Sequence, residues 1–167
     1  MGVNKYQPHV LIIPEDHADE QIANGFVLHD QVKNLDVERP AAGWSGVLEK
    51  FKIELVPYLN KYKEGRVILL IDFDNKYPDR RDRFDKAIPD HLKDRVFVLG
   101  VKATPEVLKQ SLGKDFETIG NELAENCYKG VDGLWTHDHL AHNDPDRVKL
   151  IQSVWTILFP KVGKGDI

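Results

Sequence analysis

The sequence predicts a three-layer α/β fold: a mostly parallel four-stranded sheet flanked by helices, with a helical C-terminal end. Three observations carry this. His9 to Pro14 is an apolar run. Val67 to Ile71 is a second one, preceded by Gly65 and Arg66 and ended abruptly by Asp72-Phe73-Asp74. Unbroken runs of this kind read as strands buried on both faces, which belong to parallel sheets covered by helices. Between and after them lie stretches with apolar residues at helical spacing, so strand and helix alternate as in a doubly wound sheet.

The elements follow in order. The first strand, His9 to Pro14, ends in Glu15-Asp16-His17-Ala18-Asp19-Glu20. A helix over about Ala18 to Leu28 follows directly, since Ile22, Phe26 and Val27 recur at helical spacing. Asp16 is its expected N-cap, and Asp19 at the third position meets the exposed amides and the helix dipole. A short second strand falls within Val32 to Arg39, and Pro40 to Gly46 is turn-rich. Ser45 is the expected N-cap of a helix carrying Val47, Leu48, Phe51, Leu55, Tyr58 and Leu59, which Pro57 should kink or end. The aliphatic run is the third strand. A densely charged helix spans about Asp79 to Ala87 and stops before Pro89.

Val96 to Val101 is the fourth strand. Thr104-Pro105-Glu106 combines an N-cap, a proline at the first helical position and an acid, and Gly113 closes that helix. Phe116 to Tyr128 forms another, closed by Gly130. A polar segment holding His137, His139 and His142 precedes the last helix. That helix starts at Asn143-Asp144-Pro145 and should bury Val148, Ile151, Val154, Trp155 and Leu158. Pro160 and a glycine-lysine tail follow.

At 167 residues the chain supports a single domain with a real core. A hydrophobic fraction of 41% against 30% charged residues excludes wholesale disorder. No apolar run reaches bilayer length, and Met1 to Tyr6 lacks the apolar stretch of a secretory signal, so no membrane partner is expected. The lone Cys127 excludes an internal disulfide and fits a reducing, cytoplasmic location. A formal net charge of -4 argues against a strongly basic nucleic-acid coat protein. It leaves room for an enzyme that meets nucleic acid through a metal and a local basic patch.

Ligands of parallel sheets bind beyond the carboxyl ends of the strands, where Asp72 and Asp74 stand. At i and i+2 of a strand they would share a face, roughly 6–7 Å apart. Carboxylates held together need a counter-charge, and a divalent cation with oxygen ligands supplies one. Glu15 occupies the equivalent end of the first strand, so the three acids converge if the two strands are parallel neighbours. The plainer reading is that Asp72 and Asp74 cap a loop while Glu15 caps a helix.

Glu15-Asp16-His17-Ala18-Asp19 resembles the Glu-Gly-x-x-Asp segment after the first strand of Toprim domains, particularly the free-standing and OLD-type nucleases. Asp72-Phe73-Asp74 resembles their Asp-x-Asp at a strand end, and Ala42-Gly43-Trp44-Ser45 falls where many of them carry a glycine-containing turn. Asp16 stands where the family has glycine. The resemblance covers Val10 to Val101; it implies a Rossmann-like core over about residues 8–102 and a helical extension over about 103–160. It further implies metal-dependent phosphodiester chemistry on nucleic acid, DNA or RNA, most simply by a nuclease that uses water. Glu15, Asp19, Asp72 and Asp74 would hold one or two Mg²⁺ (or Mn²⁺) ions, and Glu15, Asp72 and Asp74 would be the catalytic acids. Glu15 would alternatively serve as general acid or base. A domain of this size would depend on a partner protein or on self-association.

Other motifs read more plainly. His137, His139 and His142 lack nearby cysteines and match no standard structural zinc spacing, which favours a solvated loop or phosphate contacts. His137 and His139 would share a strand face, and His139 and His142 would be i, i+3 on a helix. Gly43 to Val47 lacks the second glycine of a nucleophile elbow. Arg80, Arg81 and Arg83 among Asp79, Asp82 and Asp85 read as a solvated, self-paired helix face beside the acids, with phosphate steering as the alternative. Cys127, Trp135 and Trp155 read as packing. A receiver-like or flavodoxin-like regulatory domain is the competing class, with Glu15-Asp16 and Asp72 around a Mg²⁺ and Lys102 as charge partner. A haloacid-dehalogenase-type phosphatase ranks below it, because its Asp-x-Asp lies on the first strand. An interaction domain with a degenerate acidic pocket completes the alternatives.

Overall fold

The computed structural model describes residues 2–160. Strands β1 (His9–Pro14), β2 (Leu35–Val37), β3 (Gly65–Leu70) and β4 (Val96–Leu99) form one sheet in the order β2-β1-β3-β4, every pair parallel. The helices are α1 (His17–Val27), α2 (Trp44–Lys50), α3 (Val56–Lys61), α4 (Tyr77–Ala87), α5 (Pro105–Leu112), α6 (Phe116–Lys129) and α7 (Asp144–Leu158). The predicted three-layer fold is the one observed, and the glycine-lysine tail lies outside the described residues.

Strand alternation sorts the aliphatic runs between two cores. Val10, Ile12, Ile68, Phe97 and Leu99 pack with residues of α1, α5, α6 and α7 on one face. Leu11, Ile13, Val67, Leu69, Val96 and Val98 pack with residues of α2, α3 and α4 on the other. A strand buried on both faces has no place for a polar residue, which is why these runs are unbroken. The chain leaves β1 for β2 on one side and returns to β3 on the other. The crevice between the carboxyl ends of β1 and β3 is therefore the topological switch point of the sheet.

Local chemistry sets the ends of the elements. Asp16 caps α1 by accepting from the Asp19 N–H at 3.1 Å, and Asp115 caps α6 by accepting from Thr118 N–H at 2.8 Å. Thr104 caps α5, and Gly113 and Gly130 close α5 and α6 in the left-handed conformation. α1 lies unusually close to α6: a Cβ on Gly120 would sit 1.9 Å from the Ile22 carbonyl oxygen. That contact fixes the position of α1, whose first turn carries Asp16 and Asp19.

Three local expectations are corrected. Gly43, at φ +95°, precedes the first turn of α2 in place of Ser45. Pro57 does not end the helix. A π-helical turn over Phe51–Leu55 widens the ladder, and α3 restarts with Pro57 in its first turn, where no N–H is required. On α7, Val148 is exposed, and Leu150, Val154, Ile157 and Leu158 form the inward face, flanked by half-buried Ile151 and Trp155. The helix is turned so that Asp146 and Arg147 face inward, Asp146 pairing with Arg81 and Arg147 with Asp132 and Asp144. Among the described residues, no helix is long and apolar enough to cross a membrane.

Candidate metal centre

Adjacent parallel strands bring the two acidic segments together. Pro14 lies opposite Leu70, and the Glu15 N–H continues the ladder to the Leu70 carbonyl at 2.9 Å. The Asp72 N–H then donates to Glu15 Oε1 at 2.7 Å. Glu15, Asp16 and Asp72 each present one carboxylate oxygen within 4.8 Å of the others. Asp19, one turn into α1, is fully buried behind them, and neither of its oxygens has a hydrogen-bond donor. Asp72 Oδ1 is likewise buried without a donor.

The electrostatics follow from this crowding. Burial pushes the Asp72 carboxyl up to about 7; sharing with Asp19 opposes the rise and the charge of Glu15 adds to it. Burial, then the charge of Asp72, raises Asp19 well above the usual carboxylate range. Burial also raises Glu15, against the stabilising Asp72 N–H. Without a cation these groups keep their protons to higher pH than ordinary carboxyls do. An all-oxygen, anionic donor set with buried oxygens lacking donors fits a hard divalent cation such as Mg²⁺ or Mn²⁺.

Of the four acids expected to bind metal, Glu15 and Asp72 meet, and Asp19 lies against Asp72. Asp74 is placed differently. β3 ends at Leu70, and the chain turns through Asp74 and Asn75 at φ +49° and +61°, so the i, i+2 geometry of a strand no longer applies. The half-exposed Asp74 carboxylate accepts from Arg80 Nη1 at 2.7 Å. The third close carboxylate is Asp16, expected as the cap of α1 and, in a receiver-like domain alone, as a partner of Glu15 and Asp72 around a Mg²⁺. Its position one residue beyond Glu15 was the available signal.

The arginines of α4 are not a solvated, self-paired face. Arg80 is buried and also donates to the Asp72 carbonyl at 2.9 Å, with its guanidinium 4.5 Å from the Trp44 ring centre. Arg81 reaches across to the buried Asp146 of α7 through two hydrogen bonds, at 2.7 and 3.1 Å, and also pairs with Asp85. Only Arg83 remains on the surface, 5.6 Å from the Trp44 ring centre.

The histidine segment is neither strand nor α-helix but two 3₁₀ turns, Gly133–Thr136 and Ala141–Asn143. His137 and His139 stack, and His142 Nε2 lies 2.7 Å from the Gly100 carbonyl oxygen, with its ring against Phe73 and Tyr77. Burial lowers the pKa of His142. Cys127 and Trp135 are buried, and burial pushes the thiol up to about 11, so the cysteine is packing. Compared with known protein families, curated proteins and solved structures, the chain matches none.

Proposed function

We propose that this chain is a Toprim-like, metal-dependent phosphodiesterase acting on nucleic acid, most simply a nuclease that uses water. One observation carries the reading: Glu15, Asp16 and Asp72 offer converging oxygens at the switch point of the sheet, backed by the donorless carboxylate of Asp19. Glu15, Asp16 and Asp72 would hold Mg²⁺ or Mn²⁺, with Asp19 behind Asp72 and Asp74 at the rim. A bound ion there supplies Lewis-acid polarisation of a phosphoryl oxygen and charge stabilisation. Arg80 braces the centre through the Asp72 carbonyl and the Asp74 carboxylate. Glu15 keeps one oxygen on the Asp72 N–H, and its raised pKa suits it to carry a proton to or from the reacting oxygens. The proposal includes a cytoplasmic location and reliance on a partner protein or a second copy.

Asp72→Ala and Glu15→Gln should abolish Mg²⁺- or Mn²⁺-dependent cleavage of DNA or RNA strands. Absence of both cleavage and calorimetric Mg²⁺ binding in the intact chain overturns the reading.

A receiver-like regulatory domain is the second reading, and the position of Asp16 favours it. Two acids after β1 and one after β3 form the close triad, while Asp74 is occupied by Arg80. Against it, Asp72 is only 6% exposed, little surface for a phosphodonor. Lys102 also makes no ion pair among the described residues. Stable labelling of Asp72 by a small phosphodonor would decide for the receiver.

A further inference from the structure

We propose that the centre takes single-stranded nucleic acid, with one unpaired base stacked on Trp44 and neighbouring phosphates on Arg83, Lys76 and Lys102. The inference rests on the phosphodiesterase reading for its chemistry and on separate observations for binding.

Trp44 opens α2 and is half-buried. The loop before it is tied to the metal centre by backbone bonds. Ala41 N–H donates to the Pro14 carbonyl at 3.0 Å and Gly43 N–H to the Glu15 carbonyl at 3.1 Å. Arg80 completes the link, touching the indole on one side and Asp72 and Asp74 on the other. The guanidiniums of Arg80 and Arg83 and the ring of Phe84 that lie against the indole all come from α4. The ring stays partly exposed, and through Arg80 it is one side chain away from Asp72 and Asp74.

Among the described residues, three cations at this mouth are free to meet a ligand, whereas several others on the chain are held by carboxylates. Arg81, Lys86, Lys114, Lys129 and Arg147 are each paired with a carboxylate. Arg83, Lys76 and Lys102 are exposed, and among the described residues their side chains have no ion pair or hydrogen bond. Lys76 follows the Asp74-Asn75 turn, and the Asn75 N–H bonds the Lys102 carbonyl at 2.7 Å, so both belong to the rim. An acidic floor inside a basic rim suits a polyanion whose reacting phosphate meets a cation while its neighbours meet ammonium and guanidinium groups. Three exposed cations at the rim of a site on a chain of net charge -4 serve a few phosphates, not a long duplex track. A base inside a duplex has both faces stacked, so an aromatic platform serves an unpaired base.

The test titrates the full chain, in EDTA so that nothing is cut, with short oligothymidylate, oligouridylate, the same thymidylate carrying abasic sites, and a duplex of equal length. Fluorescence and anisotropy are read. The expected result is quenching by at least one single strand and weaker binding of the duplex and the abasic strand. Trp44→Leu should weaken single-strand binding about tenfold, with Trp44→Phe recovering most of it. Arg83→Ala should lower the salt dependence by about 0.7 in log–log slope. Equal affinity of Trp44→Leu and wild type, equal affinity for intact and abasic strands, tighter duplex binding, or no binding at all overturns the inference. Hydrolysis of bis(p-nitrophenyl) phosphate with Mn²⁺, and its loss in Asp72→Asn, reads the phosphodiesterase proposal separately, because that substrate needs no nucleobase contact.

Discussion

The Asp72 backbone N–H donates to Glu15 Oε1 at 2.7 Å, which joins the end of β3 to the end of β1. The bond makes Glu15 both a structural acceptor and a negative charge in the centre, and two substitutions separate these roles. Glu15→Gln retains an acceptor oxygen and removes the charge. It should fold with nearly unchanged urea stability while metal affinity falls at least tenfold by calorimetry. Glu15→Ala leaves the buried Asp72 N–H without a partner and should cost about 1–3 kcal/mol in the same urea titration. Equal stability of the two variants would count against the bond.

The raised carboxyls set a pH dependence of known sign. A group whose folded pKa lies above its unfolded value contributes stability below the unfolded pKa and loses it as pH rises through the folded one. Asp72, raised to about 7, and Asp19, raised well above its usual range, therefore destabilise the metal-free chain as pH climbs from about 4 through 7. In EDTA the Tm should be at least about 3 °C lower at pH 8 than at pH 5.5, with the difference reduced in Asp72→Asn. Added Mg²⁺ should raise Tm more at pH 8 than at pH 5.5, because only deprotonated carboxylates bind it. A Tm shift by Mg²⁺ that is independent of pH contradicts this coupling.

Asp19 holds two buried oxygens without donors next to Asp72. In Asp19→Asn the side chain loses its charge and gains N–H donors for the Asp72 carboxylate. Thermal melts in EDTA at pH 8 should show the variant about 1–3 kcal/mol more stable than wild type, and calorimetry should show weaker Mg²⁺ binding. A less stable variant in EDTA would mean that the carboxylate of Asp19 is already compensated in the metal-free chain.

Gly100 follows β4 directly beside the segment that carries Asp72. A Cβ there would sit 1.6 Å from the Ile71 carbonyl oxygen, a backbone atom that cannot swing aside. Gly100→Ala should push β3 and β4 apart at their carboxyl ends, lowering stability by about 1–3 kcal/mol and weakening metal binding. Normal Mg²⁺ affinity in a destabilised variant would show that the shift stops short of Asp72.

Arg81 and the 3% exposed Asp146 clamp α4 to α7. Removing one partner of a buried pair leaves the other charge uncompensated. Arg81→Ala should therefore cost about 3 kcal/mol by urea denaturation, and the double variant Arg81→Met with Asp146→Leu should recover much of that loss. Single and double variants of equal stability would show that the pair itself matters little.

Much of the fold was legible because the physics that builds it is local or periodic. The aliphatic runs at His9–Pro14 and Val67–Ile71 reveal strands with two covered faces, and Asp16, Thr104, Gly113 and Gly130 mark helix ends by caps that act within a turn. Pro57 was misleading because its cost depends on whether the helix can widen, and the π-helical turn before it does so. The face of α7 was misleading because inward charges, Asp146 and Arg147, outweighed the apolar pattern at Val148.

The sequence by itself determined the layered α/β fold, the parallel strands and the presence of acids at the carboxyl ends of two of them, since hydrophobic period and capping chemistry act over a few residues. Only the tertiary structure decided which acids meet. The pairing of β1 with β3 brings Glu15, Asp16 and Asp72 together, the approach of α1 to α6 helps to hold Asp19 behind them, and Arg80, arriving from α4, pairs with Asp74 at the rim. These are contacts between segments far apart in the chain, and a carboxylate's role depends on the partner that reaches it.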